Sequence, residues 1–365
     1  MSANWGKHLQ LSIFGESHQS AVGINIAGLP AGFHLDEAYL QAFLAARRPG
    51  REGTSQRRES DQYHILSGLY EGRLTGAPLC VIFTNNDTHS GDYRQLANLM
   101  RPSHSDYPAY VRYHGANDVR GGGHFSARLT APICFAGALV MSILNTYGIR
   151  VDAHILNIGK IQDLRFEEAK MAAYDDLYTK PYPVLDDQRL ADMLETVKQA
   201  ASSQDSVGGS IEAMVSGLPV GLGEPFFDSV ESTLSHLLFS IPACKGVIFG
   251  DGLAMSSGYG SAYNDPYQYQ EGQVVTLSNH NGGILGGLTN GMPLRLTALF
   301  KPTPSIARPQ STINVKTHEN ARLALTGRHD PCVVLRAVPV VRAMLSIGIY
   351  DLLLERYGGE FHGFK

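Results

Sequence analysis

Two histidines lie in short polar loops of the sequence, where an imidazole can bind a ligand or transfer a proton. His18 lies in "FGESHQSAVG", after a stretch typical of a strand, and His104 lies in "RPSHSDYPAY", between Arg101 and Asp106. A single histidine in a loop is commonly no more than a hydrogen-bonded polar residue. Two histidines together with clustered arginines fit a site that binds a polyanion and moves protons.

The arginines are concentrated in two parts of the chain, although the net charge is only −4. The first cluster consists of Arg47, Arg48, Arg51, Arg57 and Arg58, and the second, which also contains His104, His114 and His124, consists of Arg101, Arg112, Arg120 and Arg128. Such clusters occur either as solvated faces or as binding sites for anions. The net charge provides no general attraction to nucleic acid, so we expect no nucleic-acid partner.

Two glycine-rich segments would allow the backbone to approach a ligand. "VRGGGHFSARLTAP" places three glycines before a predicted helix, where free amides suit a phosphate or a carboxylate. This segment matches neither the P-loop nor the dinucleotide fingerprint, and a surface turn explains the glycines equally well. "NHNGGILGGLTNGMP", followed by the lysine of "FKPTPSIARP", indicates a loop folded against a flat or anionic group, with ordinary turn chemistry as the alternative.

Asp330, in "TGRHDPC", has two interpretations. Asp followed by Pro at the start of an apolar run is typical of a helix N-terminus, because the Asp oxygen accepts from free amides and Pro tolerates the first turn. A helix cap gives no reason for Arg328 and His329 beside it, and these residues favour a catalytic carboxylate. The residues alone leave both interpretations open.

The elements that must position these residues mix helices and strands without regular βαβ alternation, which favours an α+β fold. A buried helix is predicted over residues 130–147. Another is predicted to start at Pro331, with Pro339 inside it and an apolar stripe of Val334, Val338, Val341, Leu345, Ile349 and Leu352. Strands bounded by glycine are predicted for "SIEAMVSG", "CKGVIFGDGLAM" and "PLRLTALF".

A strand, the turn Gly-Leu-Pro-x-Gly and an acid-capped amphipathic helix occur twice, in "INIAGLPAGFHLDEAYLQAFL" and in "EAMVSGLPVGLGEPFFDSVESTLSHLL". In the second copy Asp228 and Glu231 have the spacing of a capping box. The repetition predicts one domain over residues 1–365, a compact body of two related halves near 10–150 and 200–358, with mixed sheets packed against helices.

Several classes of protein are disfavoured by composition. No apolar run approaches the roughly 18 residues of a membrane helix. The N-terminus "MSANWGKHLQLSIFGESH" lacks a secretory signal, so we expect a cytoplasmic location and no membrane partner. The cysteines lie far apart, which argues against a metal site or a disulfide framework and indicates buried thiols: Cys80, Cys134, Cys244 and Cys332.

Eight segments, in this order, resemble the chorismate synthase family: "FGESH", "RRPG", "RPSHSDY", "RGGGHFSAR", "DSVGG", "NGGILGG", "KPTPSI" and "GRHDPC". The resemblance implies a lyase that forms chorismate from 5-enolpyruvylshikimate 3-phosphate by 1,4-elimination of phosphate, the last step of the shikimate pathway. It also implies a requirement for reduced FMN supplied by an external reductant, ultimately from a donor such as NADPH. The family fold is a compact α+β body that usually forms a homotetramer.

The resemblance also implies which residues form the site. His18 resembles the imidazolium that assists the departing phosphate, His104 the one that supports the anionic reduced flavin, and Asp330 the carboxylate near flavin N5 that helps remove the ring proton. The expected substrate-binding residues are Arg47, Arg48, Arg51 and Arg128. The expected flavin-binding residues are His124, Phe125, Ser126, Pro242, Ala243, Gly286, Lys301, Pro302, Thr303, Pro304, Ser305 and Arg328.

Three features depart from the family pattern. Gln19 and Ser103 stand where glycine is common, and the loop "RRPGREGTSQRRE" is spaced unlike the commoner forms.

Two other functions are open to a chain with these residues. A flavin-dependent oxidoreductase would oxidise one reduced FMN in each turnover unless a nicotinamide donor regenerated it, and the sequence has no dinucleotide fingerprint. A flavin- or phosphate-binding regulatory protein would need the arginines but not His18, His104 and Asp330 together.

Overall fold

Two five-stranded antiparallel sheets lie on either side of a layer of helices. The computed structural model describes residues 3–55, 59–85, 98–169, 174, 176–325 and 329–358. The strands are β1 Asn4–Trp5, β2 Gln10–Gly15, β3 Ala21–Ala27, β4 Tyr63–Ser67, β5 Leu69–Tyr70, β6 Arg73–Leu74, β7 Leu79–Thr84, β8 Arg150–Ile158, β9 Ile161–Gln162, β10 Gly209–Ser216, β11 Cys244–Phe249, β12 Tyr267–Gln270, β13 Gln273–Thr276, β14 Ile284–Leu285, β15 Leu288–Thr289, β16 Leu294–Phe300, β17 Gln310–Asn314 and β18 Glu319–Leu323. The α-helices are α1 Glu37–Arg47, α2 Asp106–Arg112, α3 Thr130–Thr146, α4 Asp187–Ser202, α5 Val230–Phe239, α6 Gly252–Met255, α7 Gly260–Tyr263 and α8 Val334–Tyr357.

The first sheet has the strand order β1-β2-β3-β7-β4, and the second has the order β11-β16-β10-β8-β9. In β7, Leu79, Val81 and Phe83 alternate with less buried residues, as expected for a strand with one face on the core. In the second sheet, β10 pairs with β16 in a register that runs from Gly209 opposite Phe300 to Val215 opposite Leu294.

The helix layer consists of α1, α3, α5 and α8. Helix α3 packs against α8 and against β3 and β7 of the first sheet, whereas α8 packs against β8 and β10 of the second. Because they are covered on several sides, both helices are apolar around most of their circumference. The segments Ala127–Thr146 and Val334–Tyr357 are long and apolar enough to cross a membrane, contrary to the expectation from sequence, but most of each is buried inside the protein. We therefore interpret them as core helices.

The predicted α+β class is confirmed, and the helix predicted over residues 130–147 is observed at Thr130–Thr146. The helix predicted from Pro331 begins instead at Val334. The strands predicted in "SIEAMVSG" and "PLRLTALF" are β10 and β16. The segment "CKGVIFGDGLAM" is a strand only up to Phe249, because its second part forms the short helix α6.

The caps of the two repeated helices differ. Asp36 caps α1 as predicted, accepting the backbone N–H of Tyr39 at 2.9 Å. Helix α5 is capped instead by Ser229, which accepts the N–H of Ser232 at 3.0 Å. The predicted capping box is therefore wrong, because Asp228 lies before the cap and pairs with Lys7 at 3.0 Å. The single domain and its two related halves stay predictions.

All four cysteines are free thiols. Three of them are buried, as predicted, and Cys80 is half-buried. Burial raises the pKa of the Cys134 thiol to about 12 and that of the Cys332 thiol to about 11. Both side chains therefore stay neutral in the core at neutral pH and act as small apolar groups.

Candidate active site

A cavity of about 640 Å³ brings together residues from distant parts of the chain. It is bounded by the turns before α3, the segment after β16, the connection between α5 and β11, and the first turn of α8. The predicted site residues that line it are Arg47, His104, His124, Phe125, Ser126, Arg128, Pro242, Ala243, Lys301, Thr303, Pro304, Ser305 and Asp330. A larger groove of about 810 Å³, between β1, β2 and α5, is lined by none of the predicted site residues that the structure describes.

Some predicted residues do not line this cavity in the described part of the chain, namely His18, Arg48, Arg51, Gly286 and Pro302. Arg328 lies outside the described residues. Arg51 donates to the backbone carbonyl of Pro181 at 2.6 Å and lies over the ring of Tyr182, with 4.5 Å between Cζ and the ring centroid. Gly286 belongs to the β14–β15 hairpin, where a loop was expected. The binding roles of these residues stay predictions.

His18 lies directly behind the glycine-rich wall of the cavity. Gly121, which lines the cavity, has a φ of +59°, and a Cβ placed on it would lie 2.2 Å from Nδ1 of His18. Gly123 has a φ of +53°, and a Cβ there would lie 2.2 Å from the carbonyl oxygen of Asp118. Only glycine fits this combination of left-handed backbone and close approach. The glycine run therefore sets the position of the His18 ring relative to the cavity.

His104 is held by a chain of charged groups at the start of α2. Its Nδ1 lies 2.7 Å from Oδ1 of Asp106, and Arg101 donates to both oxygens of the same carboxylate at 2.7 Å. Because Nδ1 is engaged by Asp106, Nε2 is the ring nitrogen that can face a ligand. Ser103 has a φ of +57°, a conformation that favours glycine, and its carbonyl accepts from Nζ of Lys301 at 2.6 Å.

Burial lowers the pKa of His104, and the charges of Arg101 and Lys301 lower it further. The hydrogen bond to Asp106 acts in the opposite direction but does not reverse the net shift. Without a ligand, the neutral imidazole is therefore favoured at neutral pH. An anion bound in the cavity would favour the protonated form, because opposite charges stabilise each other at close range.

A buried cluster of two arginines and two carboxylates lies against the cavity. Arg47 donates to Asp61 from Nε at 3.0 Å and from Nη2 at 2.8 Å, and it pairs with Glu59 at 3.0 Å. Arg128 also pairs with Asp61, and it donates to Oδ1 of Asn85 at 3.0 Å. Burial would raise the pKa of Glu59, but the arginines outweigh burial and lower it to about 2. Glu59 is thus ionised at neutral pH, and the substrate roles of Arg47 and Arg128 stay predictions.

Asp330 does not cap the helix that follows it. Helix α8 has Val333 at its cap position, without a side-chain hydrogen bond to the backbone. The oxygens of Asp330 bind elsewhere: Oδ1 accepts the backbone N–H of Ser55 at 2.7 Å, and Oδ2 accepts from Nη1 of Arg336 at 2.6 Å. The capping interpretation is therefore wrong, and the carboxylate is instead held at the wall of the cavity.

The segment after β16 supplies most of the remaining wall. Lys301 donates its backbone N–H to the carbonyl of Ala243 at 3.0 Å, which joins this segment to the connection before β11. Burial and the nearby charge of Lys245 lower the pKa of Lys301, which shows that two lysine side chains share this corner of the cavity. Oγ1 of Thr303 is buried without a hydrogen-bond partner among the described residues. Both features suit an anionic group with hydrogen-bond acceptors.

Five residues of this site were not singled out from the sequence, namely Ser55, Glu59, Asp61, Lys245 and Arg336. The acids of "RRESD" come directly after two arginines, and a buried arginine needs a nearby counter-charge. That segment therefore contained a signal for Glu59 and Asp61. Arg336 had no such local signal, because its partners are a carboxylate six positions away and the end of another helix.

Known proteins are similar to this chain over nearly its whole length. The family model described as chorismate synthase matches residues 9–354. A chorismate synthase of Thermococcus gammatolerans is 43% identical over 356 residues, which cover 97% of this chain and 98% of the relative. A chorismate synthase of Korarchaeum cryptofilum is 43% identical over 360 residues, which cover 97% of this chain and 98% of the relative.

The fold is also similar to that of a solved structure. A crystal structure of chorismate synthase superposes with a TM-score of 0.75 at 23% sequence identity, covering 98% of this chain and 94% of the other. At this identity the likeness concerns the fold alone, whereas the family model and the relatives extend to the sequence. The chain therefore belongs to the chorismate synthase family, and it is a lyase.

Proposed function

We propose that this protein catalyses the 1,4-elimination of phosphate from 5-enolpyruvylshikimate 3-phosphate to give chorismate, the last step of the shikimate pathway, with reduced FMN as cofactor. The observation that carries the proposal is that His104 and Asp330, each held by an arginine-bound network, line one cavity whose walls carry further positive charge. The substrate has one phosphate and two carboxylates, and such groups are suited to binding by guanidinium forks.

The residues present fit a flavin phosphate and ring. The cations Lys301, Lys245 and Arg101 line the cavity together with the ring of Phe125 and the hydroxyl of Thr303, which has no hydrogen-bond partner among the residues that the structure describes. We assign the binding of FMN to His124, Phe125, Ser126, Pro242, Ala243 and residues 301–305, with Gly286 and Arg328 as the further contacts expected from the resemblance. Reduced FMN, when bound, would supply electron density to the elimination and recover it before the end of the cycle.

The side chains of this chain supply the proton transfers. Asp330 accepts the ring proton as the C–H bond breaks. In the same 1,4-elimination the new double bond forms and the C–O bond to phosphate breaks. His18 donates a hydrogen bond or a proton to the departing phosphate. His104, once protonated beside the anionic ligands, stabilises negative charge in the cavity. Arg47, Arg48, Arg51 and Arg128 are assigned to the anionic groups of the substrate.

We further infer a cytoplasmic enzyme that receives reduced flavin from an external reductant and assembles as a homotetramer. The assembly is supported by exposed aromatic side chains, of which Phe226 is 86% and Phe227 is 92% exposed. Large exposed apolar groups in a folded chain commonly mark protein contacts. Light scattering coupled to gel filtration tests this inference, and a monomer at micromolar concentration would contradict it.

The catalytic proposal is tested by measuring phosphate release under anaerobic conditions, with the enolpyruvyl substrate and with or without dithionite-reduced FMN. We expect turnover only with reduced FMN, and we expect the flavin to stay reduced after many cycles. Oxidation of one flavin for each product molecule would indicate an oxidoreductase instead. Flavin binding without any phosphate release would favour a regulatory binding protein.

A further inference from the structure

Arg336 lies in the first turn of α8, where a cation is electrostatically unfavourable. The N-terminus of a helix carries partial positive charge, and this helix has no acidic residue in its first turn. A cation at such a position has to be compensated by anions or by the negative end of another helix. The contacts of Arg336 provide both.

The guanidinium of Arg336 is oriented by three groups. Nε donates at 2.9 Å to the carbonyl of Arg47, the last residue of α1, where helix-end carbonyls favour a cation. Nη1 donates to Oδ2 of Asp330 at 2.6 Å, and Nη2 lies 3.8 Å from Oε2 of Glu59. The side chain is only 14% exposed, so these contacts determine its orientation.

The contact with Arg336 and a second contact with Ser55 define the orientation of Asp330. Oδ1 accepts the backbone N–H of Ser55 at 2.7 Å, so one oxygen is set by the backbone and the other by Arg336. Two donors on different oxygens fix the plane of the carboxylate as well as its position. Loss of Arg336 would leave the Ser55 contact intact but would allow the carboxylate to rotate about it.

We propose that Arg336 is a positioning residue for the reaction and acts by holding the Asp330 carboxylate at the cavity wall. This inference rests on the proposed function. Arg336 itself lines the cavity, so the competing role is direct binding of an anionic substrate group. A positioning residue lowers kcat through Asp330, whereas a substrate-binding arginine raises KM independently of Asp330.

The test is a double-mutant cycle of R336A, D330N and the double variant, assayed anaerobically with reduced FMN. We expect R336A to lower kcat roughly 10²-fold, the scale on which a small misplacement of a reacting group acts. KM should change by less than about 3-fold. The double variant should be no more than about 3-fold slower than D330N, because Arg336 then has no carboxylate left to position.

Two rescue experiments accompany the cycle, one with a conservative substitution and one with added guanidinium ion. R336K should recover part of the lost rate, and added guanidinium ion should partly restore R336A. The matched control is R342A, which removes an arginine of the same helix that donates to the carbonyl of Val151 and does not line the cavity. Guanidinium should not restore activity in that variant. The proposal would be overturned if the decreases in kcat of R336A and D330N multiplied in the double variant. It would also be overturned if R336A raised KM and kept the kcat of the wild type.

Melting temperatures of the wild type, R336A, D330N and the double variant provide a measurement that needs no turnover. If Arg336 holds Asp330, the melting temperature of the double variant should fall by less than the sum of the decreases in the two single variants. Additive losses would show that the pair does not form and would overturn the proposal. Absence of turnover in the wild-type protein would instead contradict the proposed function, and the melting cycle would still decide whether Arg336 holds Asp330.

Discussion

Asp330 accepts the backbone N–H of Ser55 at 2.7 Å, although the two residues are separated by 275 positions in the chain. This contact joins the arginine-rich loop after α1 to the segment before α8. The carboxylate is thereby anchored to the loop after α1 and to the Arg336 side chain of α8, and not to the backbone amides at the start of α8.

The first prediction concerns the substitution Asp330→Asn. The amide oxygen can still accept the N–H of Ser55, but the charge that pairs with Arg336 is lost. Hydrogen bonds to charged groups contribute about 1.5–3 kcal/mol, so we expect a loss of about that size in the free energy of unfolding. Turnover should fall at least roughly 10-fold, because an amide cannot accept the ring proton. Urea denaturation and an anaerobic rate measure the two effects, and an unchanged rate would remove Asp330 from the proposed proton transfer.

The second prediction concerns His104. We expect His104→Ala to lower turnover by roughly 10- to 10⁴-fold, the range observed for positioned proton donors and acceptors, while the protein stays folded. His114 is a suitable control, because it belongs to the same histidine-rich part of the sequence and does not line the cavity. Equal rates for His104→Ala and His114→Ala would show that His104 is only a hydrogen-bonded polar residue.

The third prediction compares two glycines with left-handed backbones. Gly121 has a φ of +59° and lies against His18. Gly32 has a φ of +83°, and no atom of the described residues lies within 4 Å of the position of an added Cβ. Either substitution by alanine should cost about 1–2 kcal/mol of stability through backbone strain. Only Gly121→Ala should displace His18, and we expect it to reduce turnover roughly 10²-fold. If turnover falls equally in Gly32→Ala, the loss does not report the position of His18.

The fourth prediction concerns the carboxylate shared by Arg47 and Arg128. We expect Asp61→Asn to destabilise the protein by about 3–5 kcal/mol, because it leaves buried arginine charge without its main partner. The control is Asp228→Asn, which breaks an ion pair with Lys7 whose side chains are 55% and 47% exposed. That change should cost no more than about 1 kcal/mol. Chemical denaturation of both variants checks the difference, and similar losses would contradict a dominant role of the buried cluster.

The fifth prediction concerns pH and a second buried histidine. His154 lies between two carboxylates, 3.1 Å from Asp163 and 3.0 Å from Glu212. Burial alone would lower the pKa of His154, but these hydrogen bonds raise it above its ordinary value. The folded protein thus binds the proton more tightly than the unfolded chain does. The resulting stability is fully present below the unfolded pKa of about 6.5 and is lost as the pH rises through the folded pKa.

We therefore expect the difference in unfolding free energy between wild type and His154→Gln to be largest near pH 6 and to shrink at higher pH. Urea denaturation at several pH values between 6 and 9 measures it. A difference that grows with pH would mean that His154 is neutral in the folded protein.

Sequence reasoning succeeded where the deciding interactions are local. The limits of α3 followed from an apolar run that ends before Gly148, and the Asp36 cap followed from an acid placed before an amphipathic helix. The same reasoning failed at Asp330 and Asp228. At Asp330 both carboxylate oxygens bind other partners, the backbone N–H of Ser55 and the Arg336 side chain. At Asp228 the cap is supplied by Ser229, one position later, and the acid pairs with Lys7 instead.

The sequence by itself determined the α+β class, the main core helices and, through its ordered motifs, the resemblance to the family to which the chain belongs. These properties depend on periodicity and on residue types that act over a few positions. Only the tertiary structure decided that Ser55 and Arg336 share the Asp330 carboxylate and that Arg101 reaches Oγ of Ser305, 204 positions away, at 3.3 Å. Such partners are chosen by how distant segments pack together, because a charge buried in the low-dielectric interior needs a counter-charge or a hydrogen-bond partner within reach.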